Sequence, residues 1–222
     1  RRALRAVWRR LAGGGGGGGG GRSKSGSRGE KETRMGLLKE IRERVERHPG
    51  DLWRRGKATR HELDDGMLLR YLELAYWSLY PSGEPLENAI DNTLRWREDA
   101  KPHLVSDREV QDEAMHGKMY VRGNDREGRP IIYYTPGQER TFDTEKGLNL
   151  LFYTLERATA LLPRGQTQFA VVADCTGFGP SKTPPLAMIK AAFVIMQKHY
   201  PMRLGYVVIV NASGPIALVW KV

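Results

Sequence analysis

The sequence predicts an α/β protein in which a helical N-terminal subdomain precedes a mixed, mostly parallel sheet flanked by helices. Up to about residue 118 the apolar residues recur at helical spacing. Beyond it, short apolar runs that are typical of strands alternate with long helical patterns, in the order 128–134, 144–162, 169–174, 184–199 and 206–211. Strands that alternate with helices favour a sheet built from right-handed crossovers.

The first 30 residues are predicted to be a disordered tail that is basic and rich in glycine. Nine consecutive glycines occupy 13–21, and they lack the Gly-Lys-Ser/Thr that would follow in a phosphate-binding loop. Before them, Leu4, Trp8 and Leu11 share one side of a possible helix and arginines share the other. That pattern also fits a helix that targets an organelle or lies on a membrane surface, so both interpretations stay open.

Three segments are predicted after this tail. Residues 31–58 form a charged helix and a linker, residues 59–118 a helical subdomain, and residues 119–222 the domain that contains the strands. Two Ser/Thr-x-x-Glu sequences, Thr59 with Glu62 and Ser106 with Glu109, match the capping box and predict that a helix follows each. Thr183 and Pro184 are predicted to start the helix 184–199.

The net charge of +10 comes mainly from the tail. Residues 1–28 hold eight of the 36 basic residues and no acidic residue, which leaves 28 basic against 26 acidic residues in the remainder. A nearly balanced folded part does not favour nucleic acid as a partner. The strands at 169–174 and 206–211 are apolar on both of their alternating faces, so we expect helices to bury both faces.

The sequence offers no constellation for catalysis, for a metal or for a cofactor. Five histidines are scattered along the chain, and the single cysteine, Cys175, has no base at a recognisable spacing. One cysteine excludes an internal disulfide and fits a reducing compartment such as the cytoplasm. We therefore predict a protein that is not an enzyme.

Five ordered stretches carry a family resemblance. They are LDDGMLLRYL (63–72), GRPIIYY (128–134), VVADCTGFG (171–179), HYPMRLGYVVIVNA (199–212) and VWKV (219–222). From about residue 60 to the end, the chain resembles the CRAL-TRIO family of lipid-binding domains. The resemblance implies non-enzymatic binding of a phospholipid or another hydrophobic lipid in an apolar cavity, with transfer between membranes. Such a protein is cytoplasmic and contacts membrane surfaces transiently.

The resemblance also suggests site residues. The candidates for the cavity lining are Tyr133, Phe169, Val171, Phe193, Met196, Val208 and Val210. The candidates for the structural motif around the last strand are Asp174, Tyr200, Pro201, Arg203 and Asn211. Family members that bind phosphatidylinositol carry a basic stretch where this chain has ELAYW (73–77), and a Glu at the position of Met202. These differences leave the choice between phosphatidylinositol and a less polar lipid open.

The end of the sequence raises a further expectation. In the family, a further strand and a gate helix follow the element at 199–212, and both lie beyond Val222 here. We therefore expect a fragment with an apolar helix over 215–222 that lacks its cover. A second interpretation stays open, namely a protein-interaction or regulatory module of a larger lipid-signalling protein without exchange activity.

Overall fold

The computed structural model describes residues 27–212. The tail is predicted to reach residue 30, but helix α1 spans Ser27–Arg47, because the charged run that begins it contains good helix formers such as Glu, Lys and Arg. Most of the predicted tail (1–26) and the predicted helix 215–222 lie outside the described residues. The elements that follow α1 are α2 (Leu52–Ala58), α3 (Asp65–Leu74), α4 (Leu86–Ala100), α5 (Asp107–Ala114), β1 (Met119–Asn124), β2 (Pro130–Tyr134), α6 (Thr144–Ala160), β3 (Phe169–Asp174), α7 (Leu186–His199) and β4 (Leu204–Val210).

The first four helices share one hydrophobic core. Ile41 and Val45 of α1 and Leu52 of α2 are buried with the apolar residues of α3 and α4, among them Leu68, Tyr71, Leu72, Ile90 and Leu94. The segment 31–58 therefore packs against the predicted helical subdomain. Burying an aliphatic side chain contributes roughly 1.5–3 kcal/mol, so this core is a main source of stability for the helical half.

The sheet has the order β1-β2-β3-β4. The outer pair β1 and β2 is antiparallel, whereas β2, β3 and β4 are parallel. Helix α6 connects β2 to β3 and α7 connects β3 to β4, which confirms the predicted alternation of strands and helices. Strand β1 was not predicted, since its exposed Arg122, Gly123 and Asn124 interrupt the apolar pattern of a buried strand.

The two faces of the sheet differ. Pairing places Val121, Ile132, Val171 and Val207 in one row across the strands. Most of this row joins Phe169 and the apolar residues of α6 and α7 in a second core, so we call this side the packed face. The alternate side chains lie on the opposite, open face. On that face Val208 is 42% exposed and Val210 is 37% exposed, so the expectation that β4 is buried on both sides is wrong for the described chain.

The helical half and the sheet meet at the C-terminal end of α7. The Trp96 ring of α4 stacks on the His199 ring with centroids 4.1 Å apart, and the Thr93 hydroxyl donates to the Lys198 carbonyl at 3.1 Å. Arg97 of α4 donates two hydrogen bonds of 2.9 Å to the Glu156 carboxylate of α6. These contacts hold α4 against the two crossover helices.

Candidate functional site

The open face of the sheet is apolar and aromatic. Strand pairing aligns Tyr120, Tyr133, Val172 and Val208 across the four strands, and Val210 lies two residues further along β4. The rings of Tyr120 and Tyr133 are stacked, with centroids 5.3 Å apart and an angle of 15° between their planes. Tyr120 is 43% exposed, similar to the two valines. Exposed apolar patches on folded proteins are often binding surfaces, so the open face is a candidate site.

The structure divides the seven candidate cavity residues into three groups. Tyr133, Val208 and Val210 lie together on the open face. Phe169, Val171 and Met196 lie in the second core, where Phe169 is fully buried. Phe193 lies on α7 and is 51% exposed. Three of the seven thus share one accessible surface, and their role as a lipid-binding surface stays a prediction.

A polar cluster closes the N-terminal end of the open face. The Arg129 guanidinium donates to Asp125 at 3.0 Å and to Glu127 at 2.6 Å, and the Tyr206 hydroxyl donates to Asp125 at 3.0 Å. Although desolvation acts in the opposite direction, the hydrogen bonds from Arg129 and Tyr206 lower the pKa of Asp125 to about 2. Arg129 also packs against Gly205, where a Cβ atom would lie 2.8 Å from its Nε. The charges of this cluster are therefore paired internally.

A second polar cluster lies at the C-terminal ends of β3 and β4. The Asn211 amide donates to Asp174 and to the Thr176 hydroxyl, both at 2.9 Å, and Thr176 donates to Asp174 at 2.7 Å. The bonds from Asn211 and then Thr176 hold the pKa of the Asp174 carboxyl below its usual range. Asn211 adopts a positive φ of 55°, a conformation that Asn tolerates better than most residues. Asp174 and Asn211 thus join the ends of neighbouring strands.

The remaining motif candidates lie at the edge of the sheet where the strands begin. The Tyr200 hydroxyl donates to Glu156 at 2.7 Å, Pro201 is buried, and Arg203 donates to the Thr167 carbonyl at 3.1 Å. Tyr200 and Arg203 also line a cavity of about 510 Å³ between the helical half and the sheet. We call it the junction cavity, and its other lining residues include His61, Asp64, Arg70, Arg97, Glu156 and Thr159.

Of the residues that line the junction cavity, the sequence analysis identifies only Tyr200 and Arg203 as site candidates, and both lie between α7 and β4. A signal was nevertheless present, because Arg97 falls on the apolar side of α4 with Ile90 and Leu94, and Arg70 follows three apolar residues of α3. Arginines at such positions are rarely buried unless they are paired or bind a ligand. Arg97 is 1% exposed and Arg70 is 8% exposed.

Other chemistry is limited over residues 27–212. The Cys175 thiol is buried, and burial followed by the charge of Asp174 raises its pKa, which disfavours the nucleophilic thiolate. Within these residues, His, Cys, Asp and Glu side chains form no group of three that could hold a metal ion. No helix in the same range is long and apolar enough to cross a membrane.

Several known proteins are similar to this chain in sequence. Residues 114–222 match the CRAL/TRIO domain family. A CRAL-TRIO domain-containing protein of Schizosaccharomyces pombe is 28% identical over 144 residues, which are 65% of this chain and 14% of that protein. The phosphatidylinositol transfer protein PDR17 of Saccharomyces cerevisiae is 30% identical over 160 residues, 64% of this chain and 43% of that protein. The chain therefore spans less than half the length of these two relatives.

A solved structure agrees at the level of the fold. The crystal structure of Sfh5 superposes with a TM-score of 0.61 at 18% identity, over 90% of this chain and 76% of that one. The mixed sheet with its crossover helices and helical N-terminal half is thus a known architecture. Over residues 114–222 the chain is therefore similar to the CRAL/TRIO domain family, and its fold agrees with that similarity.

Proposed function

We propose that the protein binds the apolar part of a lipid on the open face of its sheet and transfers that lipid between membranes, without a chemical step. The observation that carries the proposal is the row Tyr120, Tyr133, Val172 and Val208, an aligned and partly exposed apolar surface. The names of two relatives support it, a phosphatidylinositol transfer protein of Saccharomyces cerevisiae and a SEC14 cytosolic factor of Candida glabrata. We further propose that the protein works in the cytoplasm, at membrane surfaces.

Burial of hydrocarbon alone can drive such binding. Each CH₂ group removed from water contributes about 0.8 kcal/mol, so an acyl chain needs apolar contact area and no reactive group. Valines on β4 and the stacked tyrosines on β1 and β2 supply that area. The clusters at both ends of the strands satisfy their own charges, and they therefore mark the limits of the apolar surface.

The test is lipid uptake by the 222-residue chain. The protein is incubated with vesicles of phosphatidylcholine that contain phosphatidylinositol and a fluorescent fatty acid, separated by gel filtration, and its lipids are identified by mass spectrometry. Val208→Asp places a carboxylate on the open face, in the edge strand β4. We expect it to abolish uptake because burying a charge against an acyl chain is costly. Met35→Asp is the matched control, since Met35 is 64% exposed on α1.

Two results would overturn the proposal. The first is a folded wild-type protein that retains no lipid, which would favour the interaction or regulatory module. The second is uptake that Val208→Asp and Met35→Asp reduce equally. Recovery of phosphatidylinositol, of phosphatidylcholine or of the fatty acid alone would identify the ligand class.

A further inference from the structure

The junction cavity is lined by three arginines of different segments, together with Arg60 and the carboxylates of Glu62, Asp64 and Glu156. Arg70 comes from α3, Arg97 from α4 and Arg203 from the turn before β4, and all three line its wall. Burial, and then the charges of Arg97, Arg203 and Arg70, lower the pKa of the His61 imidazole well below its usual value, so that this ring is neutral. His61 shares a hydrogen bond of 3.0 Å with the Tyr71 hydroxyl.

The carboxylates of the described residues form ion pairs with only some of these arginines. The charge of Arg97 is paired with Glu156, because its two Nη atoms donate to both Glu156 oxygens. Its Nε donates to the Thr59 carbonyl at 2.8 Å. Asp64 accepts the Met67 backbone N–H at 2.7 Å as the N-cap of α3, and its charge acts at longer range on both Arg70 and Arg203. Glu156 is likewise occupied by Arg97 and Tyr200. The two remaining arginines, Arg70 and Arg203, donate to no carboxylate among the hydrogen bonds of residues 27–212.

Two buried polar atoms on the cavity wall lack a partner. Arg70 donates one Nη to the Met67 sulfur at 3.3 Å, and its Nε has no hydrogen-bond partner among the described residues. The Thr159 hydroxyl is buried without a partner in the same part of the chain. An unsatisfied buried donor costs about 1–3 kcal/mol, and more if it is charged, so buried polar atoms are expected to be satisfied by something.

Arg203, which also lines the cavity, likewise has no carboxylate partner for its guanidinium among the described residues. It donates to one carbonyl, that of Thr167. Burial, and then the charge of Arg70, lower the pKa of the Arg203 guanidinium to about 10, although the charges of Asp64 and Glu156 act in the opposite direction. Two arginines that repel each other across a cavity would both be stabilised by an anion between them.

We propose that the junction cavity binds a phosphate-type oxyanion, held by the guanidinium groups of Arg70 and Arg203 and by the Thr159 hydroxyl. The planar guanidinium presents several N–H donors in the geometry that phosphate oxygens accept. A volume of about 510 Å³ exceeds that of inorganic phosphate and admits a phosphate ester. The shared chemistry is a phosphate group, which a soluble phosphate or a lipid headgroup can supply.

This site is separate from the proposed lipid surface. Arg203 precedes β4 and Thr159 lies near the end of α6, which packs on the other side of the sheet. A variant can therefore lose anion binding while it keeps lipid uptake on the open face. Another variant can lose lipid uptake while it keeps anion binding.

The first experiment is a thermal unfolding series in inorganic phosphate, with chloride used to keep the ionic strength constant. We expect a saturable rise in Tm for the wild-type chain. Arg70→Gln and Arg203→Gln should each weaken phosphate binding about ten-fold or more, because each removes a charge-assisted hydrogen bond. Thr159→Val, which keeps the shape of the side chain, should weaken it less. Arg54→Gln is the charge-matched control, since the Arg54 side chain is 81% exposed.

The second experiment compares vesicles of phosphatidylcholine with vesicles that also contain phosphatidic acid. A response to inorganic phosphate that depends on Arg70 and Arg203 supports the proposal with a soluble source. Preference for phosphatidic acid that depends on these two arginines, without a response to inorganic phosphate, supports it with a lipid source. The proposal is wrong if Arg70→Gln and Arg203→Gln respond to inorganic phosphate and to phosphatidic acid in the same way as Arg54→Gln. It is also wrong if the wild-type protein responds to neither.

Discussion

At the scale of single residues, His199 links the two halves of the molecule. The His199 ring stacks on the Trp96 ring of α4, where the helical half meets the sheet. The His199 Nδ1 lies 3.2 Å from the Thr93 hydroxyl. Burial, and then the charges of Lys198 and Arg97, lower the pKa of His199 from 6.5 to about 4. The folded protein therefore keeps this ring neutral at a pH where the unfolded chain protonates it.

This difference predicts a pH dependence of stability. Below about pH 6.5 the unfolded chain takes up a proton at His199 that the folded chain does not take up until about pH 4, so acidification across this window favours unfolding. The loss is on the order of 2 kcal/mol. His199→Gln removes this contribution, so urea unfolding should show the wild-type protein more stable near pH 7 and the gap between the two closing as the pH falls. A gap that stays constant across the window would contradict the assignment.

The same scale shows why the candidate cavity residues of β3 and β4 are divided between the two faces of the sheet. In a strand that is apolar on both of its alternating faces, the pattern does not indicate which alternate residues face the helices. Phe169 and Val171 were grouped with Val208 and Val210, and only the pairing of β3 with β4 separates them. Arg70 and Arg203 are brought together by tertiary structure, which no local spacing reveals.

At the scale of elements, the capping signals were partly correct. Ser106 and Glu109 form the predicted contact, with the Glu109 carboxylate accepting the Ser106 N–H at 2.8 Å, and α5 follows. A helix, α3, also follows Thr59, but Thr59 does not cap it. The Thr59 hydroxyl donates back to the Arg55 carbonyl at 2.8 Å at the end of α2, and Asp64 caps α3. Polar residues before a helix compete for this role, and packing selects among them.

The start of α7 shows a second local rule that the prediction missed. The predicted helix begins at Pro184, whereas α7 begins at Leu186, after two consecutive prolines. A residue that precedes a proline avoids the helical conformation, so Pro184 cannot begin a helix before Pro185. The strand β3 was predicted with its observed bounds, since polar residues and Gly flank a compact apolar run.

Helix α6 provides a prediction at this scale. Its N-cap is Asp143, whose side chain accepts the Lys146 N–H at 3.0 Å. Asp143→Ala should lower the free energy of unfolding by about 1 kcal/mol, because one N–H at the helix start loses its partner. Asp143→Asn keeps an acceptor and should cost less. Chemical denaturation of the three proteins checks this, and equal losses for Ala and Asn would show that charge, and not the cap, matters there.

At the scale of the whole molecule, Arg97 connects the helical half to the sheet. It lies 1% exposed on α4 and bonds to Thr59 between α2 and α3 and to Glu156 of α6. Glu156 in turn accepts the Tyr200 hydroxyl, which follows α7. A single buried ion pair thus contacts segments from both cores, and the junction cavity lies beside it.

This arrangement predicts the effect of breaking the pair. Arg97→Met should lower the free energy of unfolding by about 3–5 kcal/mol, because it leaves the largely buried Glu156 carboxylate without its counter-charge. The double variant Arg97→Met/Glu156→Met should recover part of that loss, since neither charge then remains unpaired and the buried volume stays apolar. Urea unfolding, followed by tryptophan fluorescence and by circular dichroism, measures the wild-type protein, Arg97→Met, Glu156→Met and the double variant. If the double variant is destabilised by the sum of the two single losses, the pair does not act as a unit, and the junction between the two cores must depend on the Trp96 and His199 stack instead.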